Sequence, residues 1–230
     1  LVYMVNKSYI TFNGLSFTGA NGQAFYLGNV SNLKIQNCEF LFNYNVILGK
    51  QFGGSSSNFS IDNCLFNQTN NNGIELPSEF AGAIITNNVI KNTGMIEGLA
   101  GSGQSRWGIS LTGNNYLVQY NKVDSTGYVA IGLNGSNLLC KNNIVNYFCS
   151  IADDGGGIYT GNPQTGVVIS DNIVLNGIGN NGGTNSSNSG AAYGIYCDDN
   201  SSGMTILNNS VANMINAAIF LHNSKDISVR

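Results

Sequence analysis

Charge is what this sequence has least of. Asp, Glu, Lys and Arg make up 9% of its 230 residues, with nine basic and twelve acidic side chains and a single histidine. No basic run exists to neutralise phosphates along a duplex, and the formal charge of -3 argues against nucleic acid as a partner. Proline occurs twice and tryptophan once. No stretch approaches the roughly 18 to 20 apolar residues of a membrane span. Five cysteines show no Cys-x-x-Cys spacing, which excludes a zinc motif, and their number and spread do not make a disulfide framework.

Asparagine and glycine are abundant. There are 38 Asn and 30 Gly, close to a third of the chain, so long amphipathic helices are nearly ruled out. Apolar residues still make up 42%, with 11 Phe and 11 Tyr, which is enough for a packed core. The surface must therefore be carried by Asn, Ser, Thr, Gly and Tyr. Such a surface suits neutral, hydroxyl-rich ligands.

The chain is organised by a repeat. Its first part reads FNGLSF (12–17), IQNCEF (35–40), IDNCLF (61–66), ITNNVI (85–90), VQYNKV (118–123), CKNNIV (140–145), ISDNIV (169–174) and ILNNSV (206–211), and Val229 starts a ninth. First positions are 23, 26, 24, 33, 22, 29, 37 and 23 residues apart. The second part reads AFYL (24–27), NVIL (45–48), GIEL (73–76), GISL (108–111), AIGL (130–133), GIYT (157–160), GIYC (194–197) and AIFL (218–221). A strand this short cannot bury its face alone, but like strands stacked about 4.8 Å apart share one core. A minimum of about 22 residues accommodates three short strands and their bends, whereas a propeller blade needs roughly 40. The pattern predicts an all-β fold, a parallel β-helix solenoid of eight to nine coils spanning 1–230 as one domain. Because the chain opens and stops inside strand-like segments, it reads as a fragment of a longer protein.

Asn88, Asn121, Asn143, Asn172 and Asn209 share one repeat position, where Asn tolerates a left-handed backbone and can bond its amide to the next coil. Leu15, Cys38 and Cys64 hold that position in the first three coils, predicting that the ladder gives way to an apolar stack. Cys38 and Cys64 sit in neighbouring coils and read as buried free thiols, since the direction of their side chains does not favour a bridge.

Extra residues fall in coils four, six and seven, near 91–107, 146–156 and 175–193. Insertions at one corner of successive coils project from one edge and can wall a cleft. The outward column Tyr26, Ile47, Glu75, Ser110, Gly132, Tyr159, Tyr196 and Phe220 would floor it. Tyr159 and Tyr196 offer flat faces for sugar rings, with hydroxyls free to bond to ring oxygens. Asp153 and Asp154 precede three glycines. Arg106 and Trp107 occupy the aligned position in coil four, where the arginine could hold a carboxylate ionised or bind a uronate carboxylate. Asp198 and Asp199 follow GIYC, and the equivalent of Asp198 one coil on is His222, so a carboxylate and an imidazole meet there as an acid–base pair. Extended geometry, by contrast, separates Asp154 from Asp198 by over about 20 Å. Glu75 is a weaker substrate-binding candidate, Glu97 could swing over the cleft, and Lys50 sits several coils away. Both Asp pairs also fit turn chemistry. No cofactor is expected; calcium stays open as an alternative, although no clear acidic cluster marks a site for it.

With these columns in place, the chain resembles the right-handed parallel β-helix superfamily, in particular its pectate-lyase-like members with Asn-rich repeats. The segments ADDGGGIYTG (152–161), YGIYCDDNSSGMTILNN (193–209) and AIFLHNS (218–224) are similar to exported bacterial carbohydrate-active proteins of that group. The resemblance implies a secreted, periplasmic or cell-surface protein whose partner is a polysaccharide or oligosaccharide. It also implies Asp153, Asp154, Asp198, Asp199 and His222 as site positions, while the column and loop reading makes Arg106, Trp107, Tyr159, Tyr196 and Glu75 the candidates for touching substrate. A glycoside hydrolase using Asp acid/base chemistry is expected. The alternatives are a polysaccharide lyase or epimerase acting on uronic acids, or a noncatalytic glycan-binding β-helix. The Asp-Pro-His-Asp run of the mannuronate epimerases is absent, as are the Gly-His-Gly and Arg-Ile-Lys motifs of the polygalacturonases.

Overall fold

Each repeat alternates apolar residues with a corner, and period-two burial makes strands of both parts. The computed structural model describes residues 2–49, 53–101, 105–180, 182 and 190–230. Every strand pair among them is parallel, in one sheet of 16 strands and another of eight. The chain winds through three stacked ladders. One carries the GIxL strands, including Ile74–Leu76, Ile109–Thr112, Ile131–Asn134, Gly155–Thr160, Ala192–Cys197 and Ile219–Leu221. The second carries strands such as Ile84–Thr86, Leu117–Gln119 and Leu139–Lys141, and the third Val89–Thr93, Lys122–Thr126 and Ile144–Phe148. The long strand Gln23–Gln36 joins the first two ladders into one sheet. Among the described residues no helix is long and apolar enough to cross a membrane.

Inside the coil, columns of like residues stack. Ile74, Ile109, Ile131, Ile158 and Ile195 are fully buried, and Ile219 packs against them at the last coil. On the third ladder Phe17, Phe40 and Phe66 are stacked with ring centroids 5.2 and 4.9 Å apart, and the column continues as Ile90, Val123, Val145, Val174 and Val211.

The Gly/Ala-Ile pair that opens the GIxL strands has a steric origin. A Cβ on Gly157 would stand 2.5 Å from Val174 Cγ1, and one on Gly108 2.7 Å from Val123 Cγ1. Two successive side chains thus point inward at this corner, and at these glycines even a Cβ would collide with the opposite ladder. One alignment needs correction for the same reason. Val46, buried, fills the small-residue slot of coil two, so that strand reads VILG (46–49) and not NVIL. Ile47 therefore pairs with Phe25 and Ile74 in the core, and Leu48 takes the outward place beside Tyr26 and Glu75.

The asparagine ladder forms as expected, with one difference. Asn88, Asn121, Asn143 and Asn172 each donate Nδ2 to the Oδ1 of the next asparagine, at 2.9, 3.0, 3.0 and 2.9 Å, ending at Asn209. The left-handed backbone belongs to the preceding residue: Asn37, Asn63, Asn87, Tyr120, Asn142, Asp171 and Asn208 have φ between 51° and 58°. Splitting the roles lets one residue turn the chain while its neighbour points inward. In the early coils Cys64 takes over the ladder, accepting from Cys38 N–H at 3.5 Å while Asn88 Oδ1 accepts from Cys64 N–H at 2.9 Å. All five cysteines are free and buried, and Leu15 is exposed and so takes no part in a buried stack.

The insertions occupy narrower spans than expected. In coil six the loop runs only from the end of Ile144–Phe148 to the start of Gly155–Thr160. In coil seven it runs from the end of Ile173–Gly177 to the start of Ala192–Cys197, with 181 and 183–189 outside the described residues.

Candidate functional site

The outward column of the first ladder gathers aromatic rings toward the carboxyl end. In register, Ser110, Gly132, Tyr159, Tyr196 and Phe220 follow one another across the strands. Trp107 is buried over Gly132 and meets Tyr159 edge-on at 5.7 Å and Tyr128 at 5.9 Å. Tyr159 meets Tyr196 at 5.3 Å, Tyr196 meets Phe220 at 5.1 Å, and Phe220 stacks on the His222 imidazole at 5.6 Å. Trp107 thus closes the row from beneath and offers no open face, contrary to its expected contact with substrate. Tyr196 is 3% exposed, and its ring too is a support.

The tyrosine hydroxyls point at an acid and not at open space. Tyr159 donates to Asp198 Oδ2 at 2.7 Å, and Tyr196 donates to Asp198 Oδ1 at 3.0 Å. His222 Nδ1 stands 2.9 Å from the same Oδ1 and 3.6 Å from Asp199 Oδ1, and Asn223 holds Asp199 with a 2.8 Å bond. The expected pairing of Asp198 with His222 therefore forms across adjacent coils.

The separation expected between Asp154 and Asp198 does not occur. A Cβ on Gly156 would lie 3.0 Å from Tyr196 Cβ, so the strand Gly155–Thr160 passes close beside Tyr196, and Asp154 at its start is near enough to Asp198 to feel its charge. Asp154 turns there at φ 57°, its N–H bonded to Ala191 O and its C=O accepting from Tyr128 Oη at 2.9 Å. Its carboxyl lies close enough to Asp198, Asp153, the Tyr196 hydroxyl and His222 to be influenced by all four.

The environments set the two carboxyls apart. Partial burial raises the Asp154 carboxyl above its ordinary value, and repulsion from Asp198 and Asp153 adds to it against the weaker pull of the Tyr196 bond and the His222 charge. Burial also acts to raise Asp198, but bonds from His222, Tyr159, the Asp199 backbone N–H and Tyr196 outweigh it and hold this carboxyl below the usual range. The bond to Asp198 raises the His222 imidazole, aided by the charge of Asp199. Burial and the nearby carboxylates push Tyr159 and Tyr196 well above an ordinary phenol, so both stay protonated as donors.

Other expected site residues lie elsewhere. Asp153 is buried beneath the turn, where its charge is felt by Asp154, Tyr128 and Cys149. Arg106 is buried with Nη1 toward Ser105, and among the described residues it forms no ion pair with a carboxylate. Glu75, four coils from Tyr196, accepts from Asn72 Nδ2 at 2.9 Å. Glu97 is an exposed loop residue, and Lys50 lies outside the described residues. Sequence reasoning missed Tyr193, which stacks on Phe220 at 4.4 Å, and Tyr128. Strict alternation from Tyr196 places Tyr193 inward, but the two consecutive inward residues Gly194 and Ile195 reset the parity. As for a cation, donor atoms of Asp198, Asp199 and His222 lie within 4.8 Å of one another. One imidazole and two carboxylates suit a zinc-like ion better than calcium, which takes six to eight oxygens.

Comparison with known proteins agrees with the winding. A family model described as "Right handed beta helix region" matches residues 2–115, and the ladders continue in the same sense through Val229. The chain is a right-handed parallel β-helix. No curated protein matches the sequence. Among solved structures, this β-helix is similar to a glycoside hydrolase (TM-score 0.59, 15% identity, 88% of this chain and 38% of that one). It is also similar to an alginate lyase from Paenibacillus sp. str. FPU-7 (0.56, 14%, 91% and 79%). A third is PfbA, a surface adhesin of Streptococcus pneumoniae (0.52, 14%, 98% and 62%). The chain thus spans little more than a third of that hydrolase and under two thirds of the adhesin. At these identities the likeness is one of fold.

Proposed function

We propose that this β-helix is a glycoside hydrolase acting outside the cell on a neutral polysaccharide or oligosaccharide, with Asp154 as the acid and Asp198 as its ionised partner. The observation that carries the reading is a pair of neighbouring carboxyls whose surroundings push their proton affinities in opposite directions: Asp198 is held by Tyr159, Tyr196 and His222, and Asp154 is partly buried beside it. Such a split assigns acid and base roles. In this scheme Asp154 protonates the glycosidic oxygen as Asp198 attacks the anomeric carbon. The deprotonated Asp154 then takes a proton from the water that releases the sugar. The rings of Phe220 and Tyr193 flank the position a sugar would take.

A lyase reading has less support, because eliminating from a uronate needs a cation opposite its carboxylate. Arg106 is buried and pairs with no carboxylate among the described residues, and three aspartates act on the single imidazole. The test is product analysis on neutral and uronate polysaccharides. The hydrolase reading expects new reducing ends, with the anomeric configuration kept, and no ultraviolet absorbance from a carbon–carbon double bond. Unsaturated products from uronate substrates would replace it with the lyase.

A further inference from the structure

A cavity of about 500 Å³ opens at the opposite end of the solenoid, at the corner that follows the third ladder in coils two to four. Phe42, Met95 and Ile96 give it an apolar floor, with Phe42 and Ile96 more than half exposed. Around this floor stand Gln68, Asn70 and Asn92. The Gln68 and Asn70 side chains make no hydrogen bond among the described residues, and Asn92 Nδ2 bonds only Asn67, at 2.9 Å, leaving its oxygen open. Thr69, 1% exposed, also lines the cavity, and its hydroxyl has no partner there. No lining residue is charged.

The turning residue at this corner is left-handed in every coil from two to eight: Phe42, Gln68, Asn92, Ser125, Tyr147, Asn176 and Asn213 in turn, at φ between 49° and 63°. Asn tolerates that region readily, so Asn can stand at position 42 without backbone strain.

We infer that this cavity is a second saccharide-binding site, separate from the aspartate cluster and selective for an uncharged sugar residue. The apolar face of a pyranose ring matches the Phe42 floor, and its hydroxyls match amides that both donate and accept. A volume of this size lies within the range of small-ligand pockets. The absence of a cation leaves a uronate carboxylate with nothing to offset its desolvation. Coils two to four stand apart from coils six to eight along the solenoid axis, so one polysaccharide chain can occupy both sites and gain from the linkage.

Binding can be read from the side-chain amide NMR signals of the full chain titrated with mannohexaose, cellohexaose, xylohexaose and a galacturonate hexamer. The prediction is that at least one neutral hexamer shifts the Gln68, Asn70 and Asn92 signals while the galacturonate hexamer does not. Phe42→Asn weakens this binding by about tenfold or more without lowering the melting temperature, and it leaves hydrolysis of a short aryl glycoside unchanged. A hexamer that binds and is cleaved identifies the substrate chain as the source of the sugar. One that binds uncleaved identifies a separate glycan. Unmoved amide signals with every neutral hexamer, equal binding of the galacturonate hexamer, or undiminished binding by Phe42→Asn each overturns the inference.

Discussion

Coils two to four and coils six to eight share one backbone and one set of columns, yet they carry opposite chemistry. The early coils stack phenylalanines in the core, bridge their corner through cysteine and surround an uncharged cavity. The late coils have a core of branched aliphatics, an asparagine ladder, and a surface where Asp154, Asp198 and His222 meet around two tyrosines. The solenoid therefore supplies spacing, about one strand separation per coil, and leaves reactivity to whichever residues occupy the outward column and its corners. Position along the axis, not fold, separates a charged cluster from a neutral pocket.

The sharpest way to break this contrast is to disable the charged end alone. Asp198→Asn is expected to lower kcat by about 10⁴-fold and Asp154→Asn by about 10² to 10⁴-fold. In both variants the amide signals around Phe42 should still respond to saccharide. A loss of both responses together would mean that the two ends are one site.

A second contrast concerns stability. Asn121 accepts from Asn88 N–H and Nδ2 and donates to Ile85 O, Gln119 O and Asn143 Oδ1. Asn121→Ala strands several buried groups and should cost about 2 to 4 kcal/mol in chemical denaturation. Cys64→Ala removes weaker sulfur bonds and a small volume, and should cost about 1 to 2 kcal/mol. Equal costs would mean that the thiol corner is held as firmly as the amide one.

Smaller effects follow from pH. Activity should fall on the acid side as Asp198 is protonated at its depressed value, and on the alkaline side as Asp154 loses its proton at its raised one. Because the folded imidazole is raised, the His222–Asp198 pair contributes stability that is complete below the unfolded value of about 6.5. That contribution is lost as pH rises through the folded value. His222→Gln should remove this dependence from melting curves taken across that window. A wild-type pH profile in the variant would show that the imidazole is not involved.

The fold was largely legible in the sequence, because stacking forces the same residue type into the same column. The exception, coil two, arose where Val46 replaced the usual glycine or alanine and disguised the register. The site was legible only in part. Asp198 and His222 could be paired because they are one coil apart at the same repeat position. Asp154 could not be brought to them, since it sits in the left-handed turn before Gly155–Thr160, where strand spacing does not set its side chain's direction. Tyr193 was hidden by the parity change at Gly194, and the burial of Arg106 and Trp107 by the way the coil-four insertion folds back.

The central claim is that Asp154 holds its proton more tightly than Asp198 does. Carboxyl carbon NMR on selectively labelled aspartate, titrated in wild type and in Asp198→Asn, tests it directly. The account predicts that Asp154 titrates above an ordinary aspartate and moves downward when Asp198 loses its charge, whereas Asp198 titrates below the ordinary range. An Asp154 that titrates at or below Asp198 would contradict it.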